Sequence, residues 1–175
     1  MPVGNVQITG TGQLLELSRR LKAAGGSRLR ANFARRLRHA AEPLHEDLQS
    51  AIRSLDIKAQ GRKRNKKGIV PHGGSSPTTR PLRATIASAI RISVRSSSTP
   101  GARVWLDKGL LPKDLKFMPG VINKGRIRHP VFGNRSRWAQ QDAAPLWWDN
   151  TVRRARPRME RDVARVLDDV RRELE

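Results

Sequence analysis

Apolar positions along the chain recur with two different periods. Between Ser27 and Leu55 they fall at Leu29, Phe33, Leu37, Ala40, Ala41, Leu44, Leu48, Ile52 and Leu55. Steps of three and four residues put them on one stripe, which predicts a long amphipathic helix. Ser27 suits its N-cap, and Pro43 removes one backbone donor and predicts a kink. A shorter helical pattern comes before it in "GQLLELSRRLKAAG", with Leu14, Leu17 and Leu21 on one face and Gly25-Gly26 as the break. Residues 1–12, where Val3, Val6 and Ile8 lie among Gly and Thr, read as an extended N-terminal arm.

Further on the period shortens. Leu82, Ile86 and Ile90 keep helical spacing, so a short helix is expected from Pro81, a residue suited to a first turn. Ile90, Ile92 and Val94 then alternate with Arg91, Ser93 and Arg95; after the turn "SSSTPG", "ARVWLD" alternates again through Val104 and Leu106. This is the pattern of a β-hairpin with one apolar and one basic face. "HPVFG" reads as a short strand and "NRSRWAQQDAAP" as a linker. A closing helix is expected from Pro145 to Leu174, carrying Leu146, Trp147, Val152, Ala155, Met159, Val163, Val166, Leu167 and Val170, with a bend at Pro157.

Two stretches fit neither period. Residues 57–80 are basic and then rich in Gly, Ser and Pro, as in a long loop. Residues 107–128 are apolar but broken by Pro and Gly, as in an insertion that packs on a neighbour. The expected fold is α+β. Long N-terminal and C-terminal helices pack on a small antiparallel sheet, in one domain over residues 13–175 with long basic loops.

Charge narrows the partners. The formal net charge is +21, from 36 Lys+Arg against 15 Asp+Glu. No acid occurs from Ile57 to Val104. Such an excess points to an acidic partner: nucleic acid, an acidic protein surface or a membrane. A compositional bias is the alternative source, since Arg outnumbers Lys by 27 to 9. The cluster Arg62, Lys63, Arg64, Lys66 and Lys67 is the candidate for electrostatic contact with DNA or an acidic neighbour. This region lacks the interleaved aromatics of a single-strand binder until Trp105.

Catalytic chemistry finds little footing. There is no cysteine, which excludes disulfides, Cys-zinc sites and thiol nucleophiles. His39 and His45 are six apart, off the i, i+4 spacing of a helical metal pair. His129 has no Ser or Asp partner at a diagnostic spacing. "GTG" and "HGGSS" lack the lysine and following helix of a phosphate loop. The acids lie mainly on helical faces beside arginines. The expectation is a non-enzyme with no cofactor and no metal. No apolar run reaches the roughly 18 residues of a membrane span, and the N-terminus has no signal-peptide pattern, so a soluble protein made inside the cell is expected. Aromatics are few, yet "HPVFGNRSRWAQQDAAPLWWDN" holds Phe132, Trp138, Trp147 and Trp148, which mark packing and interface positions. Because Trp147 and Trp148 point about 100° apart on a helix, one is expected to anchor the helix and the other to sit either at an interface or within the same subunit.

The order of these segments resembles the tail-completion, or head-to-tail joining, proteins of long-tailed double-stranded DNA bacteriophages. Leu82, Arg83 and Ile86 precede a strand; His129, Pro130, Phe132 and Gly133 end another; Pro145 leads into the basic closing helix. The likeness spans roughly residues 27–175, and the long basic loop and the 107–128 insertion depart from the pattern. It implies a virion protein of the neck, made in the host cytoplasm. It would act as a homo-oligomeric ring, expected as a hexamer, between the head-closure or adaptor ring and the tail terminator or tail tube, with possible contact to channel DNA. The competing expectation is a sequence-independent nucleic-acid-binding protein that uses residues 57–104.

Overall fold

The computed structural model describes residues 4–9, 12–23, 27–59, 81–96, 100–131 and 134–174. The architecture is mixed helix and antiparallel sheet. Strand β1 (Asn5–Thr9) leads to helix α1 (Gly12–Ala23), then to the long helix α2 (Ser27–Ser54) and the short strand β2 (Ile57–Ala59). Helix α3 (Leu82–Ser88) feeds the hairpin β3 (Ile90–Arg95) and β4 (Gly101–Leu106). Short 3-10 turns at Lys108–Leu110 and Lys113–Leu115 lead to α4 (Met118–Asn123), β5 (Arg126–Val131), β6 (Asn134–Ala143) and the closing helix α5 (Trp147–Leu174).

The two long helices organise the core. Each has 28 residues, or about 42 Å at about 1.5 Å per residue. The α2 stripe is buried as its spacing requires: Phe33, Leu37, Ala40, Ala41, Leu44, Leu48 and Ile52. Its first half, through Phe33, Leu37 and Ala40, packs with Val163, Val166 and Val170 of α5. Its second half joins Trp147, Trp148, Ala155 and Met159 in the main core. The helices are therefore antiparallel, and Arg36 near the start of one pairs with Glu173 near the end of the other.

The first sheet has the order β1-β4-β3 and lies on α2. In register, Ile92 opposes Val104 and Val104 opposes Val6. Val104 is fully buried, and Val6 and Ile92 pack against the same core. The opposite face carries Arg91, Trp105 and Asn5 in one row. Residues 5–9 are extended, as the sequence suggests, and they form an edge strand paired with β4.

The "LRATI" segment has a structural job at this sheet. Leu82 packs on the core and Ile86 is fully buried. Arg83 Nη1 donates to the Leu55 carbonyl at 2.7 Å, just past the end of α2, where carbonyls lack helical partners. His45 Nε2 bonds the Ile90 carbonyl at 3.0 Å, and Gln49 Nε2 donates to the Ala87 carbonyl at 3.1 Å. These bonds fix the α3–β3 corner on α2.

The second sheet, β2-β6-β5, was not expected from the sequence. Residues 134–143, which read as a linker, are its ten-residue central strand. Residues 57–59, read as the start of a loop, pair with it. Pro130 lies in the edge strand β5, opposite Trp138, where a missing N–H is tolerated. The 107–128 stretch is not a bare insertion either: Leu111, Ile122 and Ile127 enter the core. The basic loop from 60 to 80 lies outside the described residues. Among the described residues, no helix is long and apolar enough to cross a membrane.

Candidate interaction surface

The start of α5 is a built joint. Gly125 ends α4 with φ 82°, in the left-handed region that glycine adopts without strain. A Cβ there would lie 2.9 Å from Pro145 Cβ and 3.0 Å from the Ala143 carbonyl oxygen. The buried Asn123 then serves as a cap supplied from another element. Its Oδ1 accepts from the Trp148 backbone N–H at 3.0 Å, and its Nδ2 donates to Asp149 Oδ2 at 2.7 Å. Its backbone carbonyl accepts from Leu146 N–H at 2.7 Å. Asp149, in the first turn, also complements the positive end of the helix dipole.

Trp147 and Trp148 meet edge to face, with ring centroids 5.6 Å apart and planes at 88°. Each is 4% exposed, so both belong to the chain's own core. The indole N–H of Trp147 is buried with no hydrogen-bond partner.

Beside them Leu146 has φ 58°, a conformation that costs a non-glycine residue about 1–3 kcal/mol, and its side chain is largely exposed. Leu146→Gly is expected to raise unfolding free energy by about 1 kcal/mol, measured by chemical denaturation. An unchanged or lower value would mean that the Leu side chain contributes more than the strain removes.

Among the described residues, the exposed large apolar side chains are Leu110, Phe117, Trp138 and Leu146. Phe117 is the extreme, at 78% exposure. Among the described residues singled out from sequence, Trp138 is the surface aromatic. Its Nε1–H donates to the Arg135 carbonyl at 2.8 Å, and the Arg128 guanidinium lies 4.8 Å from its ring centroid. A matching pair occurs on the first sheet, where Arg103 lies 5.0 Å from the Trp105 ring centroid. Guanidinium over indole is a favourable cation–π arrangement.

Several helical arginines pair with acids: Arg20 with Glu16, Arg38 with Glu42, Arg156 with Glu160, and Arg158 and Arg165 with Asp162. Others on α5, among them Arg154, Arg161 and Arg171, have no ion pair among the described residues. The hydrogen bond from Arg156 to Glu160, and then the Glu160 charge, raise the Arg156 pKa. A groove of about 830 Å³ between α2 and α5 is lined by both signs, including Arg35, Arg38, His39, Glu42, Asp162 and Asp169. Arg91, Arg95 and Arg103, gathered on one face of the first sheet, also have no ion pair among the described residues.

Phe132 and the cluster Arg62, Lys63, Arg64, Lys66 and Lys67 lie outside the described residues. Sequence reasoning missed Asn123 and Leu146, whose roles depend on backbone geometry with no local signature. It also passed over Arg103 and Trp105 as a pair, although their i, i+2 spacing on a predicted strand was the available signal. His39 Nδ1 faces Glu42 Oε2 at 2.7 Å, and no group of three or more His, Cys, Asp or Glu suited to a metal occurs among the described residues. No protein-family model, curated protein or solved structure matches this chain.

Proposed function

We propose that the chain is a structural subunit of a phage neck, a ring component that joins the DNA-filled head to the tail. The observation that carries this reading is the order and jointing of elements at the segments that resemble the joining proteins. Leu82, Arg83 and Ile86 form the corner that fastens a short helix and strand to α2. Pro145 leads through the Asn123 cap into the long closing helix. Such a subunit works by presenting surfaces rather than by converting a substrate.

In this reading the two long helices and the sheets form the body of the subunit. The exposed Leu110, Phe117, Trp138 and Leu146 supply apolar contacts to copies of the chain or to the rings above and below. Exposed apolar side chains of this size gain most when a partner covers them. The basic loop carrying Arg62, Lys63, Arg64, Lys66 and Lys67 would meet an acidic neighbour or the DNA in the channel. Silencing the gene during infection, and imaging the particles by electron microscopy, tests the proposal. Filled heads beside separate, complete tails are the expected outcome.

A further inference from the structure

The outer face of the first sheet has a composition that the fold does not require. Its three strands contain no Asp or Glu. Arg91 and Arg95 are exposed at its β3 edge, and Arg103 is half-buried on the central strand. Arg103 opposes Ser93, midway between Arg91 and Arg95. The three side chains therefore start from a triangle, with Arg91 and Arg95 about 13 Å apart along the strand and Arg103 about 4.8 Å to the side.

Arg103 is also held in place. Its Nε donates to Asn5 Oδ1 at 2.9 Å, and its guanidinium lies over the Trp105 ring. Holding an arginine this way reduces the side-chain entropy it would lose on binding. Fields of unpaired arginine are self-repelling, and a partner with dense negative charge relieves that repulsion.

We infer that this face, centred on Arg91, Arg95 and Arg103, is a docking surface for the phosphate backbone of duplex DNA. Planar guanidiniums bind phosphate oxygens bidentately. The spacing of Arg91 and Arg95 is close to the roughly 12 Å width of the major groove, so the two can reach phosphates on either side of it. Single-strand binding relies on successive exposed aromatics; this face has one Trp, half-buried, with Arg103 against it. Contacts to phosphate oxygens carry no sequence information, so recognition through these arginines is independent of sequence. The second sheet also has an Arg–Trp pair, but Asp142 shares its face with Arg126 and Arg128, which weakens it as a phosphate site.

The inference does not rest on the neck reading. A neck protein indifferent to DNA and a DNA-binding protein outside any neck give opposite pairs of results in the two experiments. The test is fluorescence anisotropy of a labelled mixed-sequence duplex with the full chain, titrated between about 50 and 200 mM salt. Arg91→Gln/Arg95→Gln/Arg103→Gln is compared with Arg154→Gln/Arg161→Gln/Arg171→Gln on α5, which removes the same charge elsewhere. Circular dichroism checks folding, and the single variants Arg91→Gln and Arg95→Gln stand in if the sheet triple is unfolded.

The sheet triple is expected to weaken binding at least about tenfold and to flatten the log–log salt slope by about 0.9 per arginine. The α5 triple is expected to leave the slope near that of the unaltered chain. Equal losses in both triples, or no binding by the unaltered chain at low salt, would overturn the inference. So would tighter binding to polyglutamate than to DNA with the same dependence on Arg91, Arg95 and Arg103, which would assign the face to an acidic protein.

Discussion

Trp147→Ala is expected to destabilise the chain by about 3–5 kcal/mol, the range for emptying a large buried aromatic site. At this chain length each kcal/mol corresponds to roughly 2–4 °C of Tm, so thermal melting followed by far-UV circular dichroism reads the loss easily. The size of the effect follows from position. Trp147 packs edge to face on Trp148 in the main core, where the closing helix meets α2 and the sheets. Trp147→Phe is expected to lose much less. It keeps a ring in the site and removes the indole N–H, which is buried without a partner, a defect worth about 1–3 kcal/mol. A melting curve for Trp147→Ala that overlays the unaltered one would show that the helix is held elsewhere.

Asn123→Ala is expected to cost about 2 kcal/mol although it removes little apolar area. It leaves the Trp148 backbone N–H, buried and donating to Oδ1, without its acceptor. It also takes the Nδ2 donor from Asp149. Losing a buried partner costs about 1–3 kcal/mol, and losing a helix cap about 0.5–2 kcal/mol; the two overlap here because one side chain serves both. Asn123→Asp is equally informative. It keeps an acceptor for Trp148 but sets a carboxylate against Asp149, so it too should destabilise. Adding Asp149→Asn restores a donor facing an acceptor and should recover much of the loss. Chemical denaturation of the two singles and the double closes the cycle. Additive losses would mean that Asn123 and Asp149 act independently.

Most of the architecture was legible where one apolar stripe meets one core. The nine positions from Leu29 to Leu55 define α2 because each step of three or four residues returns to the same face, and seven of them are buried in the helix. The β3–β4 hairpin was legible for the corresponding reason at period two, with Ile90, Val104 and Leu106 inward and Arg91 and Arg103 outward. What failed was β6. "NRSRWAQQDA" has no apolar alternation, because its inner positions are Ala139, Gln141 and Ala143. It is a strand because β2 and β5 satisfy its backbone on both sides, a tertiary cause that no local pattern reports. The N-terminal segment was legible as extended, but an extended pattern does not reveal which strand it pairs with.

The site was legible in part. Trp138 was singled out and is the exposed aromatic of the second sheet, held by Arg135 and Arg128. Trp147 and Trp148 were singled out as packing or interface residues, and both are buried in the chain's own core, which is the alternative that kept the second Trp off an interface. A 100° difference in direction does not separate core from surface when one helix end is covered on several sides by α4, β5 and α2. The cap from Asn123 and the left-handed Leu146 have no sequence signature, since each is defined by the element it meets.

The proposal that the chain joins phage heads to tails is tested most directly by silencing its gene during an infection in which it is expressed and examining the lysate by negative-stain electron microscopy. DNA-filled heads and full-length tails lying separately are the expected result, with joining restored when the chain is supplied from a plasmid. Normal joined virions in the silenced infection would contradict it.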